Sequence, residues 1–393
     1  MRRWTHWATS GDLGGLRLPS HDAGTGLAGE PIGRMWWGAP FVIDPLDAYR
    51  AGLVTNPNLV VLGAIGAGKS TAVKLLLHRA LRRGRRAIVI DPKGEYGELA
   101  RAVGGVRVAL GRDGWCDPVG DDPAGRATLR QLLAVVIGRP LSDEEHLVLD
   151  EAWIATARLP GPRVRALAAA LAPDLGGPAD GRRSLALALR RLVRGDLAGI
   201  VDGPGSPASL DAPLVVFDLA DAWGSAALVP TALAAVAAAQ RMATVGGGYV
   251  VLDEAWALLD APGAVDWLRA SWKLARARGL SHVIVLHRAG DTTAVGDAGS
   301  AARARAEGLL AECETALVFA QPPDEARSLG RSMGLGALEV DLLGRLGRGE
   351  VLVRYGLHRS VVRLEPAPGE WVLVDTDGAM RADRGEGLGT MPR

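Results

Sequence analysis

Gly63-Ala64-Ile65-Gly66-Ala67-Gly68-Lys69-Ser70 is the stretch on which the fold turns. It matches the phosphate-binding pattern G-x-x-x-x-G-K-S/T, and its setting fits. The apolar run Leu59-Val60-Val61-Leu62 before it reads as a buried strand, and residues 72–83 after it as a helix closed by Gly84. Glycines let successive backbone N–H groups turn inward around phosphates, and the following helix adds its positive dipole end. Gly63 through Thr71 would form the nucleotide cradle, with Lys69 on the β- and γ-phosphates and Ser70 on Mg²⁺. The alternative is a chance glycine-rich turn. Lysine occurs only at Lys69, Lys74, Lys93 and Lys273, with arginine at the other basic positions, so a lysine in this slot argues against chance.

Outward from this stretch the strand pattern recurs. Ala87-Ile88-Val89-Ile90-Asp91, Val215-Val216-Phe217-Asp218, Tyr249-Val250-Val251-Leu252-Asp253, Val283-Ile284-Val285-Leu286 and Ala316-Leu317-Val318-Phe319 are continuous apolar runs separated by helical stretches. Strands without polar alternation, spaced by helices, indicate a parallel sheet covered on both faces. Between residues 118 and 204 the composition shifts to Ala, Leu and Arg, and periodicity predicts helices over 131–137, 143–158, 163–172 and 183–193. Residues 351–355 and 360–364 flank Gly356-Leu357-His358-Arg359 and read as a β-hairpin. The expected fold is α/β with a mainly parallel central sheet: a core over 36–117 and 205–377, an all-α insertion over 118–204, a loosely ordered lead-in over 1–35 and a flexible tail over 378–393.

Three further segments carry chemistry. Gly246-Gly247-Gly248 leads into Tyr249 to Leu252, a strand that ends in Asp253-Glu254 and reads as a Walker B element. Asp253 would hold Mg²⁺ through water, and Glu254 would orient or deprotonate the attacking water. A strand ending in solvated acids is the alternative, and the phosphate-binding loop is what favours catalysis. Asp91-Pro92-Lys93-Gly94-Glu95-Tyr96 leaves a core strand at the carboxyl edge of the sheet, where ligands of open α/β folds bind. Its acids, Glu95 among them, are within reach of a nucleotide there, unless this is a Pro-Gly turn with solvent-facing charges. Leu286-His287 ends another core strand, which makes His287 either a sensor of the γ-phosphate or a satisfied interior histidine.

Leu-Asp-Glu-Ala-Trp occurs twice, at 149–153 and 252–256. The first copy follows Ser142-Asp143-Glu144-Glu145, a capping box, so it is expected on a helix of the insertion and away from the chemistry.

The composition narrows the function. With 393 residues and 48% hydrophobic content the chain can bury a large core, and a net charge of +1 supplies no general pull toward nucleic acid or an acidic membrane. Cys116 and Cys313 lack metal-ligand spacing and suit a reducing cytosol. The N-terminus lacks the apolar stretch of a secretory signal, and residues 226–239 fall short of the roughly 20 residues of a membrane span.

Taken together, Thr55-Asn56-Pro57-Asn58, the phosphate-binding loop, Asp91 to Tyr96 and Leu252-Asp253-Glu254-Ala255-Trp256 resemble the conjugative (type IV) secretion ATPases of the VirB/TraC class, in the HerA/FtsK superfamily, especially actinobacterial versions. The resemblance covers residues 36–377. It implies a RecA-like P-loop core, ATP and Mg²⁺ as ligands, ATP hydrolysis, assembly into a ring that is often hexameric, and service to a DNA- or protein-export channel. It also implies a cytoplasmic protein held at the inner face of the membrane through its partners. The family's Thr-Gln at the sensor position reads Leu286-His287 here, and only a short lead-in precedes the motor where typical members carry a channel-docking domain. A ring further implies an arginine acting on a neighbour's γ-phosphate, for which Arg276 and Arg278 are the candidates. Two other classes stay open: a DNA translocase of the HerA or FtsK kind, and a scaffold that binds ATP without turnover. Arg79, Arg82, Arg83, Arg85 and Arg86 could face DNA phosphates, but basic residues at a helix end also complement its dipole.

Overall fold

Apolar runs of four to seven residues become strands here because both of their faces find cover. The strands are β1 (Gly33–Met35), β2 (Pro40–Phe41), β3 (Leu59–Leu62), β4 (Arg86–Asp91), β5 (Val106–Ala109), β6 (Leu214–Asp218), β7 (Gly248–Leu252), β8 (Leu280–Leu286), β9 (Thr315–Phe319), β10 (Glu350–Tyr355) and β11 (His358–Leu364). The computed structural model describes residues 26–120, 123–176, 180–241, 247–259, 264–287, 308, 312–356 and 358–375. Among these residues the strands join in one sheet, in the order β2-β1-β11-β10-β9-β3-β8-β7-β4-β6-β5. The segment from β9 to β5 is parallel throughout, and β10, β11, β1 and β2 add to it antiparallel.

Every residue of β3, β6, β7, β8 and β9 is buried. Alternation divides them between two cores. Leu59, Val61, Ala87 and Val89 face the layer built on the helix Lys69–Arg82, whereas Val60, Leu62, Ile88 and Ile90 face the layer built on the helix Leu228–Ala239. That second helix is the alanine-rich stretch, and it is buried almost throughout. Among the described residues no helix is long and apolar enough to cross a membrane.

Between β5 and β6 the chain forms the helices Pro123–Ile137, Asp143–Ala155, Arg163–Ala170 and Gly181–Arg194, which share a core with the helix Leu228–Ala239. Three strands escape the sequence reading, β1, β2 and β5. β1 occupies the last residues of the expected lead-in, where Gly33 pairs with Leu364. A Cβ at Gly33 would collide with the Arg363 carbonyl oxygen, so a glycine that looks like loop composition is the one residue that fits this pairing. β5 lies at the other edge, short and half exposed, with too little apolar pattern to register. Residues 1–25 of the lead-in and the tail 378–393 lie outside the described residues.

The arginines around the end of the helix Lys69–Arg82 are bound within the molecule. Arg82 pairs with Glu30, Arg83 and Arg85 with both Asp44 and Asp47, and Arg86 with Asp211. Arg79 is engaged most deeply: Nη2 donates to Glu370 Oε2 at 2.7 Å and Nε to Oε1 at 3.1 Å, beside His78 Nδ1 at 3.0 Å. Burial alone would raise the Glu370 carboxyl, but Arg79, the Ala367 N–H and His78 hold it down at about 2. Its stabilising contribution is therefore complete above the ordinary value of 4.5 and is lost as pH falls toward about 2. Glu370→Gln leaves the buried Arg79 charge without its counter-ion and is expected to destabilise the protein by about 3 kcal/mol at pH 7. Thermal melts of the parent and the variant check this, and their difference should narrow between pH 4 and pH 2.

Candidate functional site

Four neighbouring strands, β3, β8, β7 and β4, each deliver one part of the site from their carboxyl ends. β3 runs into the loop Gly63 to Gly68, in which Gly66 (φ 78°) and Gly68 (φ 114°) adopt left-handed backbone that side chains disfavour. A Cβ at Gly63 would stand 2.5 Å from Phe319 Cβ, so the turn off the strand also requires glycine. The loop is held at three points: the Ala64 N–H donates to the Ala320 carbonyl, the Ala67 N–H to the Ala64 carbonyl, and the Gly349 N–H to the Ala67 carbonyl. Ile65 stands 83% exposed at its tip. Lys69 opens the helix and is buried, with Nζ donating to the carbonyls of Gly63 (2.7 Å) and Ala64 (3.1 Å) and meeting His287 Nδ1 at 3.0 Å. Ser70 and Thr71 line the pocket on the same wall, and Thr71 Oγ1 also donates to the Val374 carbonyl.

β7 ends in Asp253 and Glu254, both buried. Asp253 Oδ2 accepts from the Tyr96 hydroxyl at 2.9 Å, and Oδ1 accepts from the Glu254 N–H at 2.9 Å. Burial, then the neighbouring Glu254 charge, push the Asp253 carboxyl up to about 6, the environment of an acid that a cation would complement. Glu254 has φ 51°, the only positive value for a non-glycine among the described residues. Its Oε2 meets His287 Nε2 at 2.6 Å and its Oε1 meets Lys93 Nζ at 2.5 Å. His287, just past the end of β8, therefore stands between Lys69 and Glu254.

The acids of the turn after β4 divide into two roles. Asp91 is buried and closes the turn itself, accepting from the N–H groups of Gly94 and Tyr96 at 2.9 Å each, and burial raises its carboxyl. Glu95 lines the pocket, its carboxyl also raised by burial against the pull of Lys74 and Lys93. Lys74, one helical turn past Ser70, is buried with Nζ 5.2 Å from the Tyr96 ring centre, and burial lowers its ammonium. Of the chain's four lysines, Lys69 and Lys93 thus line this pocket, and Lys74 lies buried against the ring of Tyr96, which bonds Asp253.

Sequence reasoning missed Arg348. It lines the pocket beside the loop because the antiparallel β10 begins at the edge where the parallel strands end. The only local signal was Gly347-Arg348-Gly349 before a strand, which is a turn by any reading. Arg276 and Arg278 lie far from this pocket, at the turn into β8 on the amino edge of the sheet, and Arg278 Nη1 donates to the Gln240 carbonyl. The first Leu-Asp-Glu-Ala-Trp copy sits in the helix Asp143–Ala155 behind its capping box, with the Glu145 N–H donating to Ser142 Oγ at 3.2 Å and the Ser142 N–H to Glu145 Oε2 at 2.8 Å. There Asp150 pairs with Arg126 and Arg130, and Glu151 with Arg182.

The lining suits an anion accompanied by a small hard cation. Lys69, Lys93 and Arg348 present positive charge, the glycine loop presents backbone, and Ser70 with Asp253 offers the oxygen ligands that Mg²⁺ prefers.

The fold has counterparts among known proteins. The model of the central domain of the helicase HerA matches residues 54–142. The structure of VirB4 from Thermoanaerobacter pseudethanolicus is similar with a TM-score of 0.73 and 25% identity, over 87% of this chain and 98% of that one. The bacterial conjugative coupling protein TrwB shares the fold at a TM-score of 0.55 and 16% identity, over 87% of this chain and 90% of that one. TrwB in complex with ADP and Mg²⁺ gives a TM-score of 0.55 at 16% identity, over 86% of this chain and 94% of that one. No curated protein matches the sequence.

Proposed function

We propose that this chain, a VirB4/TraC-type P-loop ATPase of the HerA/FtsK superfamily, binds ATP and Mg²⁺ and couples ATP hydrolysis to conjugative DNA transfer or type IV secretion. The observation that carries the reading is the chain of contacts from Lys69 through His287 to Glu254, which sets the phosphate-binding loop beside a buried carboxylate. Lys69 and the loop backbone bind the β- and γ-phosphates, and Arg348 adds charge from beside the loop. Ser70 and Asp253 would hold Mg²⁺, which would supply positive charge to draw off the negative charge that develops. Glu254 takes the proton of the attacking water, and His287 fixes the carboxylate that does so. Glu95 lines the same pocket, within reach of the nucleotide.

The chain works as a ring, a hexamer on the family pattern, in which Arg276 or Arg278 serves a neighbouring subunit. Its place is the cytoplasmic face of the membrane, reached through components of the secretion channel. The match to the HerA central domain favours a second reading, a motor that threads duplex DNA. A scaffold without turnover is disfavoured by the intact Lys69, Asp253 and Glu254. One experiment sorts these: Mg²⁺-dependent ATPase activity with and without duplex DNA, alongside the molecular mass in solution. Hydrolysis by a particle of several subunits is expected. Stimulation of tenfold or more by duplex DNA would move the assignment to a DNA translocase, and no hydrolysis under any condition would refute it.

A further inference from the structure

Lys93 stands in the turn after β4, where Pro92 and the left-handed Gly94 (φ 73°) fold the chain back onto Asp91. Its ammonium lies 2.5 Å from Glu254 Oε1 on one side and 5.8 Å from the centre of the Trp223 ring on another. Its side chain is 40% exposed and the Glu254 side chain 7% exposed, so the lysine is the partner with room to move. It lines the same pocket as Lys69, Ser70 and Arg348. With His287 on Oε2, both oxygens of the Glu254 carboxylate carry a cation or a hydrogen-bonding ring.

A general base works on water only if an oxygen is available to it, and an ion pair holds that oxygen by charge. The γ-phosphate brings more negative charge than one carboxylate, and with Glu254 as the base it lies next to that carboxylate. A diphosphate brings nothing to that position. We propose that Lys93 is a specificity-determining residue that exchanges Glu254 for the γ-phosphate of ATP, so that it recognises the triphosphate and frees the base in one movement. This rests on the reading of the pocket as an ATP-hydrolysing site. No bond forms or breaks in the exchange.

The test is a mutant cycle read as binding rather than turnover. Dissociation constants for a non-hydrolysable ATP analogue and for ADP, both with Mg²⁺, are measured by competition with a fluorescent nucleotide for the parent, Lys93→Met, Lys93→Arg, Glu254→Gln and the Lys93→Met/Glu254→Gln pair. Lys93→Met is expected to weaken the triphosphate about tenfold and ADP less than about twofold, while Lys93→Arg keeps the parent's preference. Glu254→Gln removes the competing charge and should tighten the triphosphate by about tenfold, a gain that disappears in the double variant. Equal loss on both nucleotides, no loss on either, or a gain that persists in the double variant would each overturn the proposal. ATPase assays on the same proteins keep the two ideas apart. A parent that shows this binding pattern and hydrolyses nothing would refute the hydrolytic reading and leave the partner exchange standing.

Discussion

Lys69→Ala is expected to lower ATP affinity at least a hundredfold, to the point where tight binding is lost. The lysine begins the helix at the base of the glycine loop, and its Nζ is already satisfied by the Gly63 and Ala64 carbonyls and by His287. Phosphate oxygens replace such contacts with hydrogen bonds in which the acceptor is charged as well, each contributing about 1.5–3 kcal/mol. Two of them correspond to a factor of a hundred or more. Alanine keeps the helix start, since it is a better helix former than lysine, so the fold is retained. Titration with a fluorescent ATP analogue measures the loss, and circular dichroism confirms the fold. Affinity within a few-fold of the parent would mean that the loop does not hold phosphates.

The second large effect separates two identical pentapeptides. Glu254→Gln should bind ATP yet lower the hydrolysis rate by roughly a hundredfold or more, the scale of a lost general base. Glu151→Gln should change the rate by less than about twofold, as for a surface substitution. Their surroundings decide the difference. Glu254 is buried at the end of β7 with His287 and Lys93 on its oxygens. Glu151 is exposed on the helix Asp143–Ala155 with Arg182 as its partner. Single-turnover hydrolysis on both variants is the check, and equal losses would overturn the assignment of the base.

Much of the fold is legible in the amino-acid sequence, for physical reasons that also mark the limits of such reading. Strands buried on both faces read as uninterrupted apolar runs, so β3, β4, β6, β7, β8 and β9 can be placed from sequence. Ser142 and Glu145 announce a helix start, which removes one of two candidate Walker B pairs from consideration. Short strands at the margins of the sheet leave no such trace. β1, β2 and β5 are short and half covered, and β1 and β5 are pinned by β11 and β6, far along the chain, rather than by their own pattern.

The site follows the same division. Lys69, Ser70, Asp253 and Glu254 declare themselves because each sits inside a local motif. Arg348 enters the pocket only through the antiparallel pairing of β10 with β9, which spacing along the chain does not encode. The turn Asp91 to Tyr96 draws attention to its acids, whereas its lysine makes the contact with Glu254. Asp91, the first acid of that motif, satisfies backbone N–H groups instead.

The position of β3 has a consequence for how the molecule comes into being. Its neighbours on both sides are late in the chain: Leu59 lies opposite Val283 in β8 and Thr315 in β9. A ribosome therefore extrudes the phosphate-binding loop long before either flanking strand exists. Closing such distant pairings is entropically slow, and the unpaired edges of β3 stay open to wrong partners in the interval. An amino-terminal fragment ending before β8 would contain the whole glycine loop and still hold no nucleotide. The growing polypeptide acquires that capacity only after β8 and β9 have been made, and until then the edges of β3 need protection from wrong partners.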